Sequence, residues 1–245
     1  MKAISFPMYD KPSAALVKMY LQGDFSSTPG GVNAYAASSF YATDRYANYK
    51  LDWEQNYRSG EWVLASRYTT SNAIHQMSKL PPEQWDSYLA WLEDYEYDKL
   101  GLPRPDLVLF LSLPLELSQQ LLAKRYHGDA SKKDIHEADL AYLVQCTKAA
   151  AYAGEKLGWH CIPCSDAAGS IPSRKFGTAC GRRFGRCWDA EFSRTHPCRP
   201  SVGAARTGTV PVHGLRIQLR QQSGVAACGG LPHCPAGRFL SDLRL

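Results

Sequence analysis

Residues 61–76 read EWVLASRYTTSNAIHQ. The apolar run Trp62–Ala65 is a short strand, Ser66-Arg67-Tyr68 ends it, and Thr69-Thr70-Ser71-Asn72 leads into a helix. The same handover recurs on either side. Upstream, Lys2–Phe6 is a β-like run closed by Pro7, Ala14–Leu21 reads as a helix stopped by Gly23, and Val32–Trp53 is a long helix. Its aromatics at Tyr35, Phe40, Tyr41, Tyr46, Tyr49 and Trp53 recur every three to five residues and give it a broad buried face. Downstream, Pro82–Leu100 is an amphipathic helix with Pro in its first turn and Gly101 after its end. Leu107–Leu111 is an apolar strand between Pro105 and Pro114. Glu116–Tyr126 and Glu137–Leu157 are helical, and Trp159–Ile162 closes the series. Strands alternating with helices predict an α/β fold, a parallel sheet with helices on both faces. Ligands of such sheets bind beyond the carboxyl ends of the strands.

Those ends carry the chemistry. The first strand runs into Phe6-Pro7-Met8-Tyr9, the second into Arg67. A guanidinium at a strand end suits a phosphate, which it can hold with two parallel charge-assisted bonds. On the long helix Tyr41 and Arg45 are four residues apart and share a face. A flat ring and a planar fork of donors suit a nucleobase, one stacking on its face and the other bonding a carbonyl on its edge. The competing reading packs Tyr41 in the core and pairs Arg45 with Asp44 or Asp52.

The chain has 245 residues, 44% hydrophobic and 21% charged, which excludes wholesale disorder. No apolar run approaches a membrane span and no secretory h-region fits the start, so the expected location is the cytoplasm. The net charge of +5 hides a break: residues 1–165 hold 16 Lys+Arg and 19 Asp+Glu, whereas residues 166–245 hold 12 and 4. Arginine replaces lysine across the same boundary, and six of the eight cysteines lie from Cys164 onward. Two regions are expected, 1–164 and 165–245. Cys161-Ile162-Pro163-Cys164 is a CxxC pair, but the later cysteine spacings are irregular, unlike the two tight pairs of a structural zinc site. The arginines could bind nucleic-acid phosphates, yet no recognisable binding module accompanies them, and the composition favours an irregular or disordered tail. Within it Leu215, Ile217 and Leu219 alternate with polar residues as in a strand.

Five stretches occur in one order: FPMYD at 6–10, YATDRY at 41–46, SRYTTSNAIHQ at 66–76, EYDKLGLPRPDLVLFL at 96–111 and DIHEADLAYL at 134–143. Residues 3–164 thereby resemble thymidylate kinases, which transfer a phosphoryl group from ATP to dTMP in dTTP biosynthesis. The resemblance implies the nucleoside monophosphate kinase fold of the P-loop NTPases, dTMP and ATP as ligands, Mg2+ as cofactor, and a homodimer. It implies that Tyr41 stacks on thymine, Arg45 reaches its carbonyl edge, and Arg67 holds the dTMP phosphate. Asn72 and His75 would lie near the base, and Phe6 and Tyr9 would line the cleft. Arg125, Lys132 and Lys133 would be lid cations that neutralise the phosphates in transfer.

Three departures accompany the match. The family opens with a strand and a GxxxxGK[ST] loop that cradles phosphate, and no such motif occurs in these 245 residues. Ser66 and Ser112 stand where the family has aspartates, and a serine brings no negative charge to a hard cation. The Arg-, Gly- and Cys-rich tail matches nothing in the family. These features predict a truncated gene with an out-of-frame tail, and a non-catalytic remnant that at most binds dTMP is the alternative to a working kinase. The family's first strand lies centrally, between those at 62–66 and 107–111. Its loss predicts one of three outcomes: the two strands close on each other, a tail strand near Thr209–Leu219 fills the gap, or the chain is unstable alone.

Overall fold

The computed structural model describes residues 1–127, 129, 133–166, 169–170, 206–212, 215–221 and 238–244. Strand β1 (Lys2–Ser5) is followed by α1 (Ala15–Gln22), which ends on Gly23 at φ 88°, a left-handed cap whose N–H bonds the carbonyls of Met19 and Tyr20. Helix α2 (Ala34–Asn48) starts at Asn33, whose side chain accepts from the N–H groups of Tyr35 and Ala36. The expected single helix to Trp53 loosens into a π turn over Tyr49–Trp53 before α3 (Glu54–Arg58). Strand β2 (Trp62–Ser66) leads through Arg67 into α4 (Thr70–His75). Helix α5 (Trp85–Glu93) also passes into a π segment, Asp94–Lys99.

Strand β3 (Leu107–Ser112) precedes α6 (Leu115–Arg125). The helix expected from Glu137 to Leu157 is two pieces, α7 (Ile135–Ala138) and α8 (Leu140–Lys156). They are broken at Asp139, whose side chain caps the second by accepting from the Tyr142 N–H. Strand β4 (His160–Pro163) ends this part of the chain.

The chain divides into two compact units, residues 1–163 with 236–245, and residues 164–235. In the second unit β5 (Ser165–Asp166) pairs antiparallel with β6 (Gly169–Ser170), and β7 (Arg206–Val212) with β8 (Leu215–Gln221). The first unit holds a five-stranded, wholly parallel sheet in the order β1-β2-β9-β3-β4, where β9 is Arg238–Arg244.

A tail strand does fill the slot between β2 and β3, but it is not the expected one. Residues 206–221 pair with themselves, and the last strand of the chain takes the centre of the sheet. Its residues Arg238–Asp242 align with Trp62–Ser66, and Leu240–Arg244 align with Leu107–Leu111. Each buried ladder group left without a partner would cost about 1–3 kcal/mol, so the occupied slot removes a large penalty.

Strand β2 is buried at four successive residues, Val63–Ser66, so both of its faces are covered. One apolar cluster gathers Ile4, Phe6, Val63 and Ala65 with Tyr49, Trp53, Tyr68 and Leu102. Another joins Phe110 and Trp159 to α4, α5 and α8 through Ile74, Tyr88, Leu89 and Cys146.

Candidate functional site

Arg67 follows the last residue of β2 and holds φ at 65°, a left-handed backbone that costs a non-glycine residue on the order of 1 kcal/mol or more. Such strain persists where surrounding contacts fix it, and here the contacts come from α4. The Arg67 guanidinium donates from Nη2 to His75 Nε2 at 3.0 Å, and Nε lies 3.5 Å from Ser71 Oγ. A guanidinium only donates, so His75 accepts on Nε2 and carries its proton on Nδ1, which faces Cys146 Sγ at 3.7 Å. Burial, and then the charges of Arg67, His136 and Lys79, push the His75 pKa well down.

Tyr9 and Tyr41 complete this group. Burial raises both phenol pKa values, and in each case Arg67 is close enough to oppose the rise. Tyr9 is 46% exposed, an open ring at the mouth of the site, and Tyr41 is half-buried with Tyr20 edge-on at 6.4 Å. Arg67 thus has His75, Tyr9 and Tyr41 as neighbours. Phe6 is not at a surface: it is 4% exposed and packs on Tyr68 in the core.

Arg45 pairs with neither Asp44 nor Asp52. Asp44 accepts from the Met8 N–H, Ser13 and Asn48, and Asp52 pairs with Lys2. Arg45 meets Glu96, with Nε on Oε2 at 2.7 Å and Nη2 on Oε1 at 2.6 Å. Both residues are buried. The same carboxylate accepts from Thr69 Oγ1 and Asn72 Nδ2, each at 3.0 Å. Asn72 therefore belongs with Arg45. The Arg45 guanidinium also lies 5.9 Å from the Tyr68 ring centre.

Beside His75 lies a third group that the sequence reading missed. Lys79 Nζ donates to Tyr20 Oη at 2.7 Å and to the Val32 carbonyl at 3.1 Å, and sits 4.7 Å from the Tyr20 ring centre. Burial brings its pKa down to about 7. Tyr20 Oη lies 2.7 Å from His136 Nε2, and His136 stacks on His75 with ring centres 5.7 Å apart. His136 is neutral, its pKa lowered by burial to about 3. Lys79 lies three residues beyond one quoted motif, while Glu96 and His136 fall within two others, but periodicity gives no sign that the three turn inward. Among the described residues neither Arg67 nor Lys79 forms an ion pair with a carboxylate, although Asp134 lies near enough to act on Tyr9, Tyr20 and Tyr41.

Of the expected lid cations, Arg125 is exposed in the last turn of α6, and Lys133 donates to Gln119 Oε1 at 3.3 Å. Lys132 lies outside the described residues. The described residues assemble no donor set that suits magnesium. Ser66 and Ser112 end β2 and β3, no three His, Cys, Asp or Glu side chains gather among the described residues, and the sequence has no GxxxxGK[ST] loop. No described helix is long and apolar enough to cross a membrane.

No protein-family model matches the chain. A thymidylate kinase from Mycobacterium tuberculosis is 29% identical over 158 residues, 64% of this chain and 72% of the relative. One from Caenorhabditis elegans is 25% identical over 116 residues, 47% of this chain and 46% of the relative. Among solved structures, a thymidylate kinase from Candida albicans aligns with a TM-score of 0.45 at 19% identity, covering 66% of this chain and 71% of that one. Over about two thirds of its length, this chain is similar in sequence to thymidylate kinases.

Proposed function

We propose that this chain is a thymidylate kinase homologue whose own residues supply the dTMP half of the site, the reaction class being phosphoryl transfer from ATP to dTMP to give dTDP. The observation that carries the reading is Arg67: a guanidinium on a strained backbone at the carboxyl end of a sheet strand, bonded among the described residues to neutral groups and close to two phenols. A monophosphate dianion is the ligand that such a group lacks. Arg67 grips the phosphate, Tyr9 closes over it, Tyr41 stacks on the base, and Arg45 with Asn72 reads the base edge.

The donor half of the reaction needs a phosphate cradle and a metal site, which these residues do not form. In isolation the chain therefore binds dTMP without turning it over. Titration calorimetry tests this: dTMP binds, and thymidine, lacking the phosphate, binds at least about tenfold more weakly. A coupled assay for ADP release with dTMP and ATP separates binder from working kinase. Equal affinity for dTMP and thymidine would refute the role given to Arg67.

A further inference from the structure

In the five-stranded sheet β1 pairs with β2 and β3 with β4, and β9 alone bridges the two halves. Five residue pairs align it with β2 and five with β3, staggered by two residues, so the segment Arg238–Arg244 fills the slot along both edges. Its neighbours, Trp62–Ala65 and Leu107–Leu111, are apolar throughout, whereas Arg238, Ser241, Asp242 and Arg244 are charged or polar. The fit therefore rests on backbone ladders, which any copy of the segment makes equally well. The tether is unusual too. Strand β4 ends at Pro163 and β9 starts at Arg238, and residues 164–235 between them form a compact unit of their own. A connection of that length, in place of a tight turn, dilutes the strand about its own slot to an effective concentration in the millimolar range or below.

We infer that β9 is exchanged between two copies of this chain, the strand of each seated between β2 and β3 of the other. Every ladder of the closed monomer is kept in the exchanged pair, so the two forms differ only in tether entropy and in the concentration of copies. The partner is a second copy because its own 238–244 segment is the one whose register suits both flanking strands. Withdrawing a central strand breaks two ladders at once, so the exchange is made while the chains fold and not by association of folded monomers. Such a dimer is set at the centre of the sheet and needs no contact between outer helix faces.

The test unfolds the full-length protein in urea and refolds it at about 1 µM and about 100 µM, with size-exclusion chromatography and light scattering as the readout. The dimer fraction should rise at least about tenfold at the higher concentration and survive dilution, because reversal requires unfolding. Refolding with about a tenfold excess of a fluorescein-labelled peptide of residues 236–245 should suppress the dimer and leave the label on the monomer. The same peptide carrying Leu240→Pro, which lacks a ladder N–H, should do neither. Monomer alone at both concentrations overturns the inference. A dimer that forms equally in the presence of the peptide also overturns it, since the contact then lies on another surface. Capture of the peptide with no dimer overturns it as well, since the slot then accepts a strand that copies do not share.

Discussion

Acid should destabilise this fold through His136 in particular. Tyr20 from α1, His75 from α4, Lys79 just beyond it, Tyr142 from α8 and Arg67 at the end of β2 all lie around the ring. Nε2 lies 2.7 Å from the Tyr20 hydroxyl, and the charges acting on the ring, Lys79 and Arg67, are positive. In the folded chain its pKa falls from 6.5 to about 3. Above pH 6.5 both states leave the ring neutral, and it adds no pH dependence. Below 6.5 the unfolded chain takes up a proton that the folded chain refuses, so stability falls with pH until about 3.

The full gap, at about 1.4 kcal/mol per pH unit, is on the order of 5 kcal/mol, and the part lost between pH 6.5 and 4.5 is about 2.3 kcal/mol. Carboxylates and His75 titrate as well, so the measurement is a difference. Urea unfolding across this range is compared for wild type and His136→Gln, whose amide can either donate to Tyr20 or accept from it. The variant should lose stability less steeply, by about one proton's worth. Parallel decline of the two proteins would refute the account of a neutral ring held between a hydroxyl and two cations.

Deleting residues 236–245 empties the slot between β2 and β3 and should abolish the cooperative thermal transition seen by circular dichroism; an unchanged melt would mean that β9 contributes no stability. Arg67→Gly relieves the left-handed strain, so the protein should melt at or above the wild-type temperature while dTMP affinity drops at least about tenfold. Tyr41→Phe should leave dTMP affinity nearly unchanged and Tyr41→Ala should cost about tenfold, because the ring face and not the hydroxyl is used.

The sequence by itself determined the alternation of strands and helices, since apolar runs of five and stripes at helical spacing are local signals. It also put Arg67 at a strand end and Tyr41 and Arg45 on one helix face, because strand ends and shared helix faces are counted along the chain. Tertiary structure alone decided which partners those side chains take. Arg45 had two acids near in sequence and chose a third, Glu96, which approaches only once the π segment after α5 lies over α2.

The same holds for the centre of the sheet. The alternating stretch at 215–219 drew attention as a strand, yet alternation suits an antiparallel ribbon, and 206–221 forms one. The slot went to Arg238–Arg244, whose mixed composition has no clean period. Strand pairing joins residues far apart in the chain, and its free energy comes from filling a gap that exists only after the other strands have assembled.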